Sequence, residues 1–238
     1  LSASLNGFKY LETELNEHFG TLPALPSVAH EILMALNSPT NDIKECAASI
    51  MMEPGLTARI IAMANSAYFS GQSPVLSVED AVIRLGLSRV RILAASLLLA
   101  DQFDPSSCPA FQTVKYWFNA VQVAYCGSRI APLVLAKEIQ DAAYLSGLLH
   151  NIGLLVLAHS FPSETQKALE LKQEDPERSL PALERELLGF DHYVAGRMLL
   201  TEWQLPTAII SVTAHCGEMG YHGDFEELVN LVQYCMHW

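Results

Sequence analysis

The apolar residues of this chain recur at helical spacing in nearly every segment, and no set of alternating runs separated by hairpin turns competes with that period. The pattern restricts the fold to the all-α class. "FKYLETELNEHF" places Phe8, Leu11, Leu15 and Phe19 on one stripe and Glu12, Glu14 and Glu17 off it, an amphipathic helix with a solvated acidic face. In "LPALPS", Pro23 and Pro26 hold the backbone extended as a rigid connector, and Ser27 is placed to cap a helix carrying Val28, Ile32, Leu33 and Leu36. "SPTND" breaks that helix, Asp42 opens another to about Met52, and "EPGL" turns the chain into a third, "LTARIIAMANSAYF". There Asn65 and Ser66 are expected to satisfy helix-end backbone groups, with Tyr68 and Phe69 in the core. Ser77 and Asp80 resemble a capping box, Gly86 is a stop signal, and Ser88 is expected to open a long apolar helix to Ala100.

"DQFDPSSCPAF" interrupts the helical period with Pro105, Ser106, Ser107 and Pro109, and marks the junction between an N-terminal helical part (1–108) and a second helical part (109–238) of one continuous domain. Beyond it the period predicts helices near 111–131, 138–159, 163–174, 180–188, 191–203, 206–216 and 224–237, with "KQEDPERSLP" as an exposed connection.

A chain of 238 residues with 50% apolar content has ample material for a core. Its 14 Lys and Arg against 26 Asp and Glu give a net charge of -12, which repels nucleic-acid phosphates and anionic lipid surfaces. Nucleic acid and membrane are therefore not expected partners. Arg84, Arg89 and Arg91 cluster around Gly86 in a pattern that could mimic a helix-turn-helix, but the recognition helix would be "SRVRILAASLLLA", whose later turns are too apolar to face DNA. These arginines suit nearby acids such as Glu79 and Asp80, or an acidic protein surface. Five scattered cysteines without C-x-x-C spacing suggest neither a disulfide framework nor a zinc ribbon, and fit a reducing cytoplasm. The apolar stretches 92–100 and 142–158 are too short or too interrupted to span a bilayer and read as buried helices; no signal peptide is expected in this sequence.

Taken together, "LPALP", "EPGLTARIIAMANSAYF", "SVEDAVIRLGLSRV", "GLLHNIG" and "FDHYVAGRMLLTEWQLP" followed by "AHC" resemble, in order and spacing, the HDOD domains, bacterial signalling relatives of the HD metal-dependent phosphohydrolases. The resemblance covers about residues 8 to 235. It implies an HD-domain-like helical bundle with an N-terminal helical subdomain, and a regulatory or output role whose chemistry is often absent.

In the catalytic relatives a divalent metal is held by a His, a His-Asp pair and a late Asp. The resemblance matches these places to Asn119 in "YWFNA", to His150 with Asn151, and to Gln233 in "LVQYC", with His192 and His215 similar to further pocket histidines. A divalent cation in a dry site needs anionic oxygens to balance its charge. Carboxamides keep the size and hydrogen-bonding capacity of carboxylates but not the charge. The expected result is a neutral polar network with no cofactor and no catalytic residue, in a domain that acts through a signalling protein partner or a small ligand. The alternative is a metal-dependent phosphohydrolase with an altered ligand set, in which His150, His192, His215 and Asp191 bind a divalent transition metal. Taken singly, His150 and Asn151 read as a buried pair satisfied by neighbouring helices or water, and His192 and His215 as packing residues; His215 beside Cys216 is not zinc spacing.

Overall fold

The computed structural model describes residues 24–38, 42–66 and 74–237; the stretch 8–19 and the pair Tyr68 and Phe69 lie outside the described residues. Among the described residues there are fourteen α-helices and no strand. Five belong to the N-terminal part: α1 (Ser27–Asn37), α2 (Ile43–Met51), α3 (Pro54–Ala64), α4 (Val78–Leu85) and α5 (Leu87–Ala100). A non-helical connection over 101–112 follows. The rest are α6 (Thr113–Val134), α7 (Lys137–Gln140), α8 (Ala142–Leu149), α9 (Ile152–Ser160), α10 (Pro162–Glu174), α11 (Leu180–Leu188), α12 (His192–Glu202), α13 (Thr207–His215) and α14 (Glu226–Met236).

Local capping chemistry sets most of the boundaries in the first part. Asp42 accepts from the backbone N–H of Lys44 and Glu45, and Glu45 returns a bond to the Asp42 N–H, a reciprocal box that starts α2. Glu53 caps the Leu56 N–H ahead of α3, with Pro54 in the first turn where its missing donor is harmless. Ser77 accepts from the Asp80 N–H, and Gly86, at φ 89°, makes the sharp turn from α4 into α5.

Three boundary expectations are corrected. Pro26, not Ser27, precedes α1, because its carbonyl already accepts the His30 N–H at 3.0 Å and Ser27 is thereby the first helical residue. The turn residue ahead of α5 is Gly86 rather than Ser88, since the Gly86 carbonyl takes the Val90 N–H at 3.1 Å. Asn65 does not close the end of α3 with its side chain; it pairs with both backbone groups of Val75 at 2.8 Å, pinning the chain where it re-enters the bundle.

One large cluster of buried apolar side chains runs from Ala29 to Ile209, through Ile32, Leu36, Leu99, Leu145 and Ile152, and so joins helices on both sides of the 101–112 connection. A second, around Val123, Val212 and Val229, welds α14 and α13 onto α6. The stretch Lys137–Ser160 is the single one among the described residues long and apolar enough to cross a membrane, yet 78% of its most apolar window is buried within the bundle. Its apolar surface is spent on tertiary packing, at roughly 1.5–3 kcal/mol per buried large side chain.

The single helix expected over 138–159 is three: α7, α8 and α9, with the main break at His150 and Asn151. Tertiary contact imposes it. On α8, a Cβ at Gly147 would lie 2.7 Å from the Ala124 Cα of α6. On α9, a Cβ at Gly153 would lie 1.7 Å from the His192 carbonyl oxygen of α12. Each segment is thus pressed backbone to backbone on a different partner, and Asn151 adopts φ −115°, ψ 21° between them. The carbonyls released by the break find donors on or beside α13: Thr213 Oγ1 donates to the Leu149 carbonyl at 3.2 Å and Cys216 Sγ to the His150 carbonyl at 3.5 Å.

Candidate functional site

The break between α8 and α9 carries the polar residues that the motif analysis singled out. His150 is 1% exposed, and its Nδ1 lies 2.7 Å from the Gly147 carbonyl, which fixes Nδ1 as the N–H bearing nitrogen and leaves Nε2 as an acceptor. Burial, chiefly, pushes this imidazole down to about 4 from 6.5; the Gly147 bond opposes the fall and neighbouring His192 adds to it. His150 is a neutral side chain at physiological pH.

A cavity of about 300 Å³ opens against it. Its walls come from the start of α6 (Lys115, Tyr116, Asn119), from the approach to α6 (Phe111, Gln112), from the helix break (His150, Asn151) and from the last turns of α10 (Leu169, Lys172). Three of the lining residues also bury a polar atom that has no partner among the described residues: Tyr116 Oη, His150 Nε2 and Asn151 Oδ1. No lining residue is acidic.

The six residues expected at one pocket separate into three groups. Asn119, His150 and Asn151 meet on the cavity, with Asn119 at its exposed edge. His192 does not line it. It is held beneath by Glu184 of α11, which is 0% exposed and whose Oε2 accepts both the His192 backbone N–H at 3.0 Å and Nδ1 at 2.6 Å. Tyr193 covers the other side of the ring, with centroids 4.1 Å apart. His215 and Gln233 form a separate group nearer the surface: His215 bonds Glu218 at 2.9 Å and stacks on Tyr221, while Gln233 donates to the Glu218 carbonyl at 2.8 Å.

Asp191, offered as a rescuing metal ligand, is engaged elsewhere. One carboxylate oxygen caps α12 through the Val194 N–H at 3.1 Å, and the other pairs with Arg185. Among the described residues no group of three or more His, Cys, Asp and Glu side chains is arranged to hold a metal ion. The alternative set of His150, His192, His215 and Asp191 is not brought together. His192 and Asp191 already have nearer partners whose loss would leave a buried or capping group unmatched, and His215 pairs with Glu218 nearer the surface. The cavity itself does not suit a divalent cation: its lining residues include one histidine, carboxamides and two lysines, with no anion to balance the charge.

Sequence reasoning missed Glu184 as the group that orients His192, and missed Lys115, Tyr116 and Phe111 as cavity walls. An acid on the buried side of "LPALERELL", flanked by Leu183 and Leu187, was the available signal for the first. For the others only the packing of α6 against the helix break reveals the association.

The HDOD domain pattern matches residues 22–219. An uncharacterized protein from Treponema pallidum (strain Nichols) is 25% identical over 203 residues, covering 84% of this chain and 38% of that one. A protein provisionally named for signal transduction from Marinobacter aquaeolei VT8 superposes with a TM-score of 0.77 at 27% identity, over 90% of this chain and 48% of its own. A protein provisionally named as a phosphohydrolase from Shewanella amazonensis SB2B shares the fold, with a TM-score of 0.69 at 23% identity over 91% of this chain and 76% of its own. This chain therefore spans less than half the length of the first two. With the family pattern covering most of its residues and the helical bundle in agreement, the chain belongs to the HDOD domain family.

Proposed function

We propose that this HDOD domain is a non-catalytic bacterial signal-transduction module, which transmits its state through contacts with a protein partner and through a small ligand held at the break between α8 and α9. The observation that carries the reading is the chemistry of that cavity: a neutral, buried His150 beside Asn151 and Asn119, with no acidic lining residue. Without an ion to lower the pKa of water or to neutralise phosphoryl oxygens, phosphoester hydrolysis has no electrophile there, and an imidazole as weakly basic as His150 is a poor general base at neutral pH. The names of the similar proteins, one drawn from signalling and one from phosphoester chemistry, leave the choice to this residue chemistry.

The test uses the whole chain. Elemental analysis after purification and turnover assays on phosphomonoesters, phosphodiesters and cyclic nucleotides, with manganese, iron, nickel or zinc added, should give substoichiometric metal and no His150-dependent turnover. One metal per chain together with hydrolysis that disappears in His150→Gln would overturn the reading.

A further inference from the structure

The longest helix among the described residues, α6, carries apolar side chains on its solvent side. Val114 is 86% exposed, Phe118 63% and Tyr125 45%, and their spacing puts them on one stripe. The exposed aromatic side chains among the described residues are Phe118 and Tyr125 on α6 and Tyr234 on α14, the helix packed beside it. Grooves flank the stripe. The largest, about 710 Å³, is walled by α6 and by Cys235 and Met236 at the end of α14. Its α6 residues recur at short intervals from Lys115 to Ile130, so it follows the helix for about four turns. A second, about 340 Å³, lies against α3 and α5 at Met63, Ile92 and Leu93, and shares Gln122 and Tyr125 with the first. A third, at the start of α6, shares Lys115 and Phe118 with the first. The three form one continuous surface.

Charge selects the occupant. Acids outnumber cations 26 to 14 in the chain, yet the charged residues lining these grooves are Arg89, Lys115 and Arg129, with no acid. All three are exposed, and none makes an ion pair among the described residues, in contrast to Arg59, Arg178 and Arg185. Of the arginines around Gly86, Arg84 reaches back to the Ala64 carbonyl, whereas Arg89 lines this surface. A second copy fits poorly. Lys115 and Arg129 lie equally far to either side of Gln122, so two α6 helices crossing there antiparallel would set cation against cation, and parallel ones would oppose each cation to itself. An acidic partner meets no such conflict.

We propose that this face of α6 docks an acidic amphipathic helix of a signalling partner, its apolar side chains on Phe118 and Tyr125 and its carboxylates toward Arg89, Lys115 and Arg129. A helix suits a long groove walled by helices, whose ridges repeat at the intervals that helix packing interlocks. The assignment rests on the reading of this domain as a module that works through a protein partner, and adds to it the surface and the partner's chemistry. Lys115 and Asn119 line both the large groove and the cavity at the helix break, so a seated partner would lie beside that cavity.

The probe is a fluorescent peptide of about five helical turns, with leucines along one stripe and glutamates elsewhere, titrated into the full chain and read by anisotropy. Its counterpart has glutamine for each glutamate. The glutamate peptide should bind at least about tenfold more tightly than the glutamine peptide, against the repulsion of a chain with net charge -12. Raising NaCl from about 0.05 to about 0.5 M should weaken it several-fold. Arg89→Glu with Arg129→Glu should abolish the preference. Phe118→Ser with Tyr125→Ser should weaken both peptides at least about tenfold. All four positions are exposed, and an unchanged thermal midpoint verifies that the variants fold.

No binding of the glutamate peptide, equal binding of the two peptides, a preference that survives the charge reversal, or indifference to Phe118 and Tyr125 would each overturn the proposal. So would displacement of the peptide by duplex DNA, or a dimer in sedimentation that is lost in Phe118→Ser with Tyr125→Ser. Binding that appears only once Leu11→Ser and Leu15→Ser disrupt the acidic amphipathic stretch 8–19 would overturn it in favour of that segment. These failures are distinct from failure of the functional reading, which appears as stoichiometric metal and His150-dependent turnover.

Discussion

The two parts of this domain bury polarity in opposite ways. Among the described residues of α1 to α5 the buried polar side chains are Ser49 and Ser96, each tied to a carbonyl one turn back on its own helix. From α6 onward the buried set includes Glu184, His192 and Thr213, whose partners lie on other helices, and Asp191, which reaches back to Arg185 of α11 as well as capping α12; His150 alone of the named residues bonds a carbonyl one turn back. The tightest backbone-to-backbone glycine contacts, at Gly147 and Gly153, also fall in the second part. The first part is held together by apolar packing with local caps. The second spends free energy on a fixed polar geometry, the expected mark of a region kept for binding.

The comparison breaks first at Glu184. Removing its carboxylate strands the His192 backbone N–H and ring nitrogen in the interior, so Glu184→Leu should destabilise the fold by about 3–5 kcal/mol, measured by urea denaturation. If that variant unfolds at the wild-type urea midpoint, the second part is no more demanding than the first. Next comes Gly153→Ala. The new Cβ would meet the backbone of His192, which cannot swing aside, and about 3 kcal/mol is expected, the upper end of the overpacking range.

Protonation gives a comparable test. The unfolded chain takes up a proton on His150 near pH 6.5 and the folded chain only near 4, so the unfolded state binds more protons throughout that window. Stability should be greatest above pH 6.5, fall by up to about 3 kcal/mol as the pH drops to 4, and change no further from this group below it. His150→Gln should flatten that part of the profile; an unchanged slope would place the titrating group elsewhere. The smallest effect belongs to the first part. Asp42→Ala removes a reciprocal cap at an exposed helix start and should lower stability by about 1 kcal/mol, seen as a small shift in thermal midpoint.

Most of the helical outline was legible because capping and periodicity are local. Asp42 announces α2, the prolines and serines of 105–109 announce the gap before α6, and Leu180–Leu188 has the expected bounds. The errors arose where a distant element intervened. Residues 138–159 have no local reason to break at His150, and break because α6 and α12 hold the two halves on different backbones. Half of the candidate pocket was legible through the family resemblance: Asn119, His150 and Asn151 do share a cavity, while Asp191 was claimed by Arg185 and the start of α12, a competition no spacing rule can express.

By itself the sequence determined the helical class, the family and the amide identity of Asn119, Asn151 and Gln233, since period, motif order and residue identity are carried by the chain alone. Tertiary structure decided which nitrogen of His150 is left free, that Glu184 claims His192, and that Tyr116 joins Asn151 on one wall. Hydrogen bonds and close contacts are settled by competition among all neighbours in space, and those neighbours exist only once the helices have packed.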